Sequence, residues 1–353
     1  MGAMHEMRAQ APGNAAASVA VSVIVPTFRR PEGVQACLRS LLAQEVGVTF
    51  EIVVVDNDSG DDTPNVIAGL AAEDPRVRYL CETGRGVSFA RNRGVAATTA
   101  PILAFIDDDE TAAPDWLSAI VAAFEAHPEV DFIGGRVLPI WGEPCPRWLS
   151  HDHWAPAGLM DHGERTLPIG IERPWPLGTG NLALRRRAIE AVGAFSTDLQ
   201  RVGTGIGSTE DHEFVRRLWR AGFKGLYVPA ALAHSPVPPA RMRKDYHRRW
   251  HHGHGVYSAR MRLIEPPVDA LTLFGMPAYY YGFLVREVAS WLGATLGRRA
   301  AEAFLHEARV RDLGSYIAET YRLHRRAGGA GPLSELRRFV GAYRRKKTVH
   351  KPI

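Results

Sequence analysis

Three consecutive carboxylates, Asp107, Asp108 and Asp109, follow the apolar run ILAFI at 102–106 of the 353-residue sequence. Carboxylates this close repel one another unless a cation neutralises part of their charge. Their hard oxygen atoms suit Mg²⁺ or Mn²⁺, and such ions commonly bridge to a diphosphate. The triplet therefore favours a metal and diphosphate site. A solvated acidic turn is the alternative.

A second acidic pair, Glu210 and Asp211, opens a helical pattern in STEDHEF. One carboxylate of such a pair can act as a general base and take the proton from an attacking hydroxyl group. The same residues, with Thr209, can instead cap the helix N-terminus, where negative charge is stabilised. Both roles are compatible with a helix that begins at a cleft.

Polar residues also follow the first two apolar runs, in PTFRR at 26–30 and at Asp56. Phe28 offers a stacking face, and Asp56 could accept a hydrogen bond from a ring N–H of a base. Ordinary packing of Phe28 and an Asx turn or N-cap at Asp56 are the alternatives. Arg85 and Arg91, at the next helix start, suit either phosphate or surface ion pairs.

Alternating strands and helices must position these groups. Apolar runs at 19–25, 51–56, 77–80 and 102–106 alternate with helical patterns at 31–44, 62–72, 87–97 and 114–126. Continuous Val/Ile/Leu runs are typical of buried parallel strands, so the sequence predicts an α/β sheet with helices on both faces. Its ligand should lie beyond the carboxyl ends of the strands. A Pro-, Gly-, Trp- and His-rich stretch over 139–176 is expected to form a lid or binding loop.

The composition excludes several classes of protein. With 46% apolar and 23% charged residues, the chain fits neither a disordered protein nor a multi-span membrane protein. Three widely separated cysteines favour a reducing compartment, and no signal peptide is visible, so we expect a cytoplasmic protein. Residues 1–18 are expected to be a disordered or tag segment, 19–240 a catalytic domain, and 241–353 a basic, amphipathic helical region.

The charge is unevenly distributed. From Arg241 onward, 22 Lys and Arg face 9 Asp and Glu, whereas the preceding residues hold 21 basic and 29 acidic side chains. Arg286, Glu287 and Pro277 interrupt the apolar stretch Leu271–Leu296, which favours a helix lying in a membrane interface over one spanning it. The RRKK tract at 344–347 would add attraction to anionic lipid. A helical hairpin packed on the catalytic domain or on a second subunit is the alternative. Nucleic acid binding is not expected, because no recognised module is present.

Several motifs together resemble glycosyltransferase family 2, which has the GT-A fold. They are VIVPTF, VVDNDSGDDT, ARNRG, FIDDDE followed by PDWL, TGNLALRR, TED and RW, and they extend over about residues 20–255. Bacterial enzymes of exopolysaccharide and cell-envelope glycan assembly are the most similar members. The resemblance implies a Rossmann-like mixed sheet and an inverting transfer of one sugar from a nucleotide diphosphate donor, usually UDP-linked, with Mn²⁺ or Mg²⁺.

The resemblance also implies roles for individual residues. Asp211 matches the general base, and Glu210 would contact the acceptor or orient the site. Asp109 matches the direct metal ligand and His234 a histidine that completes the metal site in some relatives, although an isolated histidine is more often a hydrogen-bonded core or surface residue. The predicted donor-binding residues are Pro26, Thr27, Phe28, Arg30, Asp56, Arg85, Arg91, Asp107, Asp108, Gly180, Asn181, Arg249 and Trp250.

Two further motifs allow more than one interpretation. Arg249 and Trp250 match the RW of the QxxRW motif of processive relatives, but Tyr246 stands where that motif has Gln, which speaks against processivity. Arg185 and Arg186 could hold phosphate or acceptor charge, or could simply flank a strand.

Two other functions are possible. A sugar-nucleotide nucleotidyltransferase would usually have a Gly-rich signature after its first strand, which PTFRRPEG lacks. A non-catalytic, membrane-bound carbohydrate-binding protein would not need the intact DDD and ED motifs. The expected partners are a nucleotide-sugar donor, a saccharide or lipid-linked saccharide acceptor, the inner face of the cell membrane, and a second copy of the chain in a homo-oligomer.

Overall fold

The computed structural model describes residues 18–175, 177–200, 206–261 and 270–349. The predicted tag segment lies outside these residues except for Ser18, and so do the side chains of the RRKK tract.

Eleven strands and ten helices are formed by the described residues. The strands are β1 (Val21–Thr27), β2 (Phe50–Asp56), β3 (Val77–Cys81), β4 (Ile102–Ile106), β5 (Thr111–Ala112), β6 (Phe132–Trp141), β7 (Leu167–Ile169), β8 (Asn181–Arg185), β9 (Gly225–Val237), β10 (Thr272–Leu273) and β11 (Met276–Pro277). The helices are α1 (Pro31–Leu42), α2 (Thr63–Glu73), α3 (Val87–Ala96), α4 (Trp116–Ala126), α5 (Arg186–Val192), α6 (Glu210–Arg220), α7 (Lys244–Arg260), α8 (Tyr279–Leu296), α9 (Ala300–Arg326) and α10 (Pro332–Val349).

The main sheet has the order β3-β2-β1-β4-β8-β6-β9-β5, and β7 pairs with β9. The strands β3, β2, β1 and β4 are mutually parallel. β8 then runs antiparallel to both β4 and β6, whereas β6 and β9 are parallel. The predicted mixed α/β sheet is therefore confirmed. Its four parallel strands place their carboxyl ends along one edge.

Helices cover both faces of this sheet, as predicted. On one face, α1, α2 and α4 pack a core that includes Val34, Ile67 and Trp116. On the other face, α5 and α6 contribute Ile189 and Phe214 to a second core. All seven residues of β1 and of β2 are buried between these layers, which explains their continuous apolar runs.

The stretch over 139–176 contains more regular structure than its composition predicts. β6 extends to Trp141, two short 3₁₀ helices span His151–His153 and Ala155–Ala157, and β7 adds a strand to the sheet. A small apolar cluster, which includes Leu149 and Met242, fixes this segment against the beginning of the C-terminal region.

The described part of the C-terminal region is mainly helical and contains one short antiparallel pair of strands, β10 and β11. Ion pairs join α7 to α9, and α9 in turn joins α8 through His306 Nδ1 and Glu287 Oε2, which are 2.6 Å apart. Among the described helices, none is both long enough and apolar enough to cross a bilayer.

Candidate active site

The carboxyl ends of neighbouring parallel strands bring the predicted polar residues together. Thr27 ends β1 and lies opposite Asp56 at the end of β2. Asp107 follows β4 directly, and its backbone N–H donates to the carbonyl of Gly180, 3.2 Å away. These residues and the acidic triplet therefore share one edge of the sheet.

Asp108 points into the protein and is only 6% exposed. It accepts hydrogen bonds from Thr27 Oγ1 at 2.7 Å and from Arg30 Nη1 at 2.9 Å. Burial raises its pKa to about 6 although the charge of Arg30 opposes this. Asp108 thus links the triplet to the end of β1 and to the residues that follow it. The two partners, Thr27 and Arg30, are also residues that the motifs assign to the donor site.

Asp109 is more accessible than Asp108, with a side chain that is 25% exposed. Its Oδ2 atom lies 2.7 Å from Arg30 Nη1 and 3.2 Å from Arg241 Nη2. Two residues farther on, Thr111 of β5 pairs with His234 of β9. This antiparallel pairing brings His234 to the strand that follows the triplet, although the two residues are more than 120 positions apart in the sequence.

Arg91 joins the two acidic motifs. Its guanidinium Nη2 lies 3.0 Å from Asp107 Oδ1, and Nη1 lies 3.3 Å from Glu210 Oε1. The Arg91 side chain is only 4% exposed. A single buried cation therefore ties the end of β4 to the start of α6, so the triplet and the Glu210–Asp211 pair line one cleft.

Glu210 and Asp211 have different environments. Glu210 is 5% exposed, and burial, followed by the charge of Asp211, raises its pKa to about 7, with Arg91 acting in the opposite direction. Asp211 is half-buried, and its Oδ1 accepts the backbone N–H of His212 at 2.7 Å. Asp211 is therefore the carboxylate of the pair that a substrate can reach more easily.

The capping alternative is met in part, because Asp211 itself accepts the backbone N–H of His212 in the first turn of α6. Thr209 is the N-cap of α6, but it makes no capping hydrogen bond, and its buried hydroxyl has no partner among the described residues.

Glu110, next to the triplet, is a site residue that the sequence analysis missed. It is 5% exposed, and its Oε2 atom has no partner within the described chain. Burial, together with the charges of Asp107 and Asp109, raises its pKa well above the usual value. A Cβ atom on Gly180 would lie 2.9 Å from Glu110 Oε1 and 3.0 Å from Asp107 Oδ2, so a larger residue there would require these two carboxylates to move.

Asp56 and Phe28 lie at the far side of this edge. Asp56 Oδ1 accepts the backbone N–H and the hydroxyl group of Ser59, three residues on, and Oδ2 accepts the hydroxyl group of Tyr79 at 3.2 Å, so both carboxylate oxygens have partners within the protein. Phe28 is 50% exposed and open for stacking. The backbone directly after Phe28 is strained, because Arg29 has φ = 53°. The backbone N–H of Arg29 donates to the Ser59 hydroxyl group, its side chain donates to the Ser59 carbonyl, and these two bonds hold it in that conformation. Ser59 was not anticipated from the sequence.

Other predicted donor residues occupy varied positions. Pro26 is buried within β1, and Arg85 is exposed. Asn181 donates both amide hydrogens inside the protein, to the carbonyls of Arg136 and Ala231, and accepts from Trp116 Nε1. These contacts tie β8 to β6, to β9 and to α4.

The RW pair lies on α7. Arg249 is exposed, with its Nη2 atom 3.7 Å from Asp245 Oδ2. The Trp250 ring stacks on His254 with a centroid distance of 4.8 Å. Arg241, which the sequence analysis did not select, is the C-terminal cation that reaches the triplet. No local sequence signal distinguishes it, because its contact spans 132 positions.

Arg185 and Arg186 flank the end of β8 and bind backbone carbonyls, which is the structural alternative to binding phosphate or acceptor. Arg185 donates to the carbonyls of Val130 and Phe124, and Arg186 donates to the carbonyl of Ala100.

Comparison with known proteins gives a consistent result. The model of the family described as "Glycosyl transferase family 2" matches residues 22–192. The chain is 30% identical over 226 residues to the succinoglycan biosynthesis protein ExoM of Rhizobium meliloti, a match that covers 63% of this chain and 68% of ExoM. It is 29% identical over 186 residues to the glucosyl-dolichyl phosphate glucuronosyltransferase of Haloferax volcanii, covering 52% of this chain and 58% of that protein.

Solved structures share the fold. The mannosyltransferase PcManGT of Pyrobaculum calidifontis, determined with GDP-Man and Mn²⁺, has a TM-score of 0.54 at 18% identity, over 88% of this chain and 87% of its own. GalNAc-T7, determined with UDP, GalNAc and Mn²⁺, has a TM-score of 0.50 at 14% identity, over 71% of this chain and 52% of its own.

Proposed function

Because the chain belongs to glycosyltransferase family 2 and has the GT-A fold, we propose that this glycosyltransferase moves one sugar, with inversion, from a nucleotide diphosphate sugar to an acceptor hydroxyl group. One observation carries the proposal. Arg91 bridges Asp107 and Glu210, so the acidic triplet and the candidate base share one cleft. An inverting displacement needs this arrangement, because the leaving diphosphate and the base act on opposite faces of the same sugar.

Asp211 is the proposed general base. It would accept the proton of the acceptor hydroxyl group as that oxygen attacks the anomeric carbon. Its accessibility supports this role, whereas the buried Glu210 is better placed to hold Arg91 and shape the cleft.

The charge of the cleft supports a divalent cation. Within the described ranges, the four carboxylates at 107–110 face three arginines, 30, 91 and 241, and one buried oxygen of Glu110 has no partner there. Within the described chain no three His, Cys, Asp or Glu side chains converge as a complete metal site. A metal held by Asp109 and His234 would therefore take its remaining ligands from diphosphate and water, as Mg²⁺ commonly does.

When bound, such a cation neutralises charge that develops on the departing diphosphate. The Mn²⁺ in PcManGT and GalNAc-T7 supports a divalent ion, either Mn²⁺ or Mg²⁺. Arg30 and Arg241, which already contact Asp109, would release it to the cation and become available to the diphosphate.

A uridine nucleotide is the proposed donor carrier, with Phe28 stacking on the base and Asp56 and Asp108 contacting the nucleoside. The names of the relatives support an acceptor in polysaccharide assembly, since ExoM is a succinoglycan biosynthesis protein and the Haloferax volcanii enzyme acts on a dolichyl phosphate-linked sugar. We propose a lipid-linked saccharide acceptor.

The C-terminal helices support contact with a membrane surface from the cytoplasmic side. Of the thirteen large apolar side chains that are exposed among the described residues, eight lie on α8 and α10. Those on α8 are Tyr279, Phe283, Val285, Leu292 and Leu296. Arg286, Arg298 and Arg299 are exposed beside them, and this combination of apolar and basic groups suits an anionic lipid interface.

A thermal-shift panel tests the catalytic proposal. UDP, GDP and their sugar conjugates are each added with Mn²⁺, with Mg²⁺ or with chelator. We expect one nucleotide to raise the unfolding midpoint only when the metal is present, since a ligand of the native state stabilises it. If no uridine nucleotide shifts the midpoint, the donor assignment fails, and a shift by guanosine nucleotides alone would replace uridine with guanosine. Release of UDP on addition of acceptor would exclude the nucleotidyltransferase and the non-catalytic alternatives.

A further inference from the structure

The helices α7 and α9 are joined by three similar ion pairs. Arg248 pairs with Glu307, His254 with Asp312, and Arg260 with Glu319. The partners are 59, 58 and 59 residues apart, so the two helices run parallel and in register. Of these pairs, the middle one also faces the catalytic domain.

His254 lies between α9 and the start of α6. Its Nδ1 is 2.9 Å from Asp312 Oδ2. Its ring stacks on Trp250, and it lies 5.7 Å edge-to-face from the ring of His212, the residue directly after Asp211. A chain of contacts therefore runs from Asp312 on α9, through His254, to the helix that carries the proposed base.

Backbones approach very closely at the same place. A Cβ atom on Gly253 would lie 1.8 Å from the carbonyl oxygen of Ile206, and one on Gly207 would lie 2.7 Å from the backbone nitrogen of His254. On the other side of α7, a Cβ atom on Gly255 would lie 2.1 Å from the carbonyl oxygen of Asp312. The segment that leads into Asp211 is thus pressed on α7, and α7 is pressed on α9.

The titratable groups along this line of contacts have pKa values shifted in different directions. Burial tends to lower the pKa of His254, but the hydrogen bond to Asp312 and its charge, with a contribution from Asp211, raise it overall. Asp312 is driven to a pKa of about 2, despite burial, by His251 and His254. Burial and the charge of His254 lower the pKa of His212, against the charges of Asp211 and Asp312. His251 Nδ1, at 3.7 Å from Asp312 Oδ2, is the remaining titratable group here.

We infer that Asp312 and His254 are positioning residues for the general base: Asp312 pairs with His254 and fixes its ring, and the ring, which contacts His212, holds the start of α6 and with it Asp211. The inference rests on the proposed function, because it takes Asp211 as the base. The C-terminal helices are in this respect part of the catalytic apparatus and not only an attachment to a surface.

The sign of the pH dependence follows from the raised pKa. His254 is charged below its folded-state pKa, so its contribution is complete at low pH and is lost as the pH rises through that value. Transfer should therefore decline on the alkaline side as His254 loses its proton. Removing the Asp312 charge lowers the pKa of His254 and moves this decline to lower pH.

The test compares Asp312→Asn with Glu307→Gln and Glu319→Gln in the full chain. All three remove one carboxylate from the same helix pair, but only the first touches His254. We expect Asp312→Asn to move the alkaline limb of kcat down by at least about one pH unit. We expect the controls to leave the limb in place. Titration of the His254 Cε1 proton by NMR should show the same shift without substrate.

The outcomes separate the inference from the proposed function. If the wild-type chain transfers no sugar, the function is wrong; if it transfers sugar and Asp312→Asn keeps the wild-type limb and His254 pKa, the inference is wrong. Gly253→Ala is a second variant that leaves all charges in place. We expect it to lower kcat at least about tenfold with unchanged KM for the donor, and an unchanged kcat would overturn the positioning role.

Discussion

The sheet edge and the outer C-terminal helices use arginine in opposite ways. At the sheet edge, Arg91 is 4% exposed and its two carboxylate partners belong to the two separate acidic motifs. On the C-terminal helices, Arg299 pairs with Glu302 of its own helix, and both side chains are largely exposed. Buried cations fix the geometry of reacting groups, whereas exposed cations set the charge of a surface. The net charge of +5 conceals this division.

The largest expected effect comes from the cleft. Asp211→Asn keeps the size of the side chain but removes the proton acceptor, so we expect transfer to fall about 10²–10⁴-fold. Nucleotide binding, measured by calorimetry, should persist. Glu213→Gln is the matched control, because Glu213 lies in the same first turn of α6 but pairs with Arg217. Full activity of the Asp211→Asn variant would contradict the assignment of Asp211 as the general base.

Arg91→Met tests the contrast between buried and exposed cations directly. The variant leaves Glu210 and Asp107 without their shared partner, and we expect a loss of about 3–5 kcal/mol in the free energy of unfolding. Arg299→Met breaks an exposed pair and should cost less than about 1 kcal/mol. Urea unfolding of both variants gives the comparison. Equal losses would show that burial does not distinguish the two regions.

The smallest expected effect concerns the surface of α8. Leu292→Glu and Val285→Glu each place a charge on its exposed apolar face, and we expect about tenfold weaker binding to phosphatidylglycerol vesicles for each. Ile171→Glu is the control, since Ile171 is 67% exposed outside the C-terminal region. Co-sedimentation measures binding, and transfer to a water-soluble acceptor should not change. Unchanged vesicle binding, with loss of a dimer instead, would reassign this face to subunit contact.

Much of the site was predictable because its motifs are local. Continuous apolar runs predict β1, β2 and β4, and a carboxylate at the end of such a run must lie at the ligand edge of the sheet. This places Asp56, Asp107, Asp108 and Asp109 together without any knowledge of distant contacts. The family follows from the order of these motifs.

The partners of those carboxylates depend on the tertiary structure. Arg241 reaches Asp109 across 132 positions and Arg91 reaches Glu210 across 119, and no spacing rule covers such distances. Glu110 shows the same limit, since only burial beside Gly180 distinguishes it from a surface carboxylate. For Asn181 and Arg249 the motifs predict a donor contact that the tertiary structure does not form by itself. Asn181 makes hydrogen bonds between strands, and Arg249 is exposed.

The sequence by itself determined the α/β class, the edge of the sheet that holds the chemistry, and the division of charge near Arg241. Side-chain periodicity and residue type suffice for these features, because each arises within one strand or helix. Only the tertiary structure decided which arginine neutralises which carboxylate, and that α7, supported by α9, presses on the segment that leads into α6. Those contacts join different strands and helices, from 16 residues apart for Arg91 and Asp107 to 132 for Arg241 and Asp109, and their energies depend on burial that no local pattern reports.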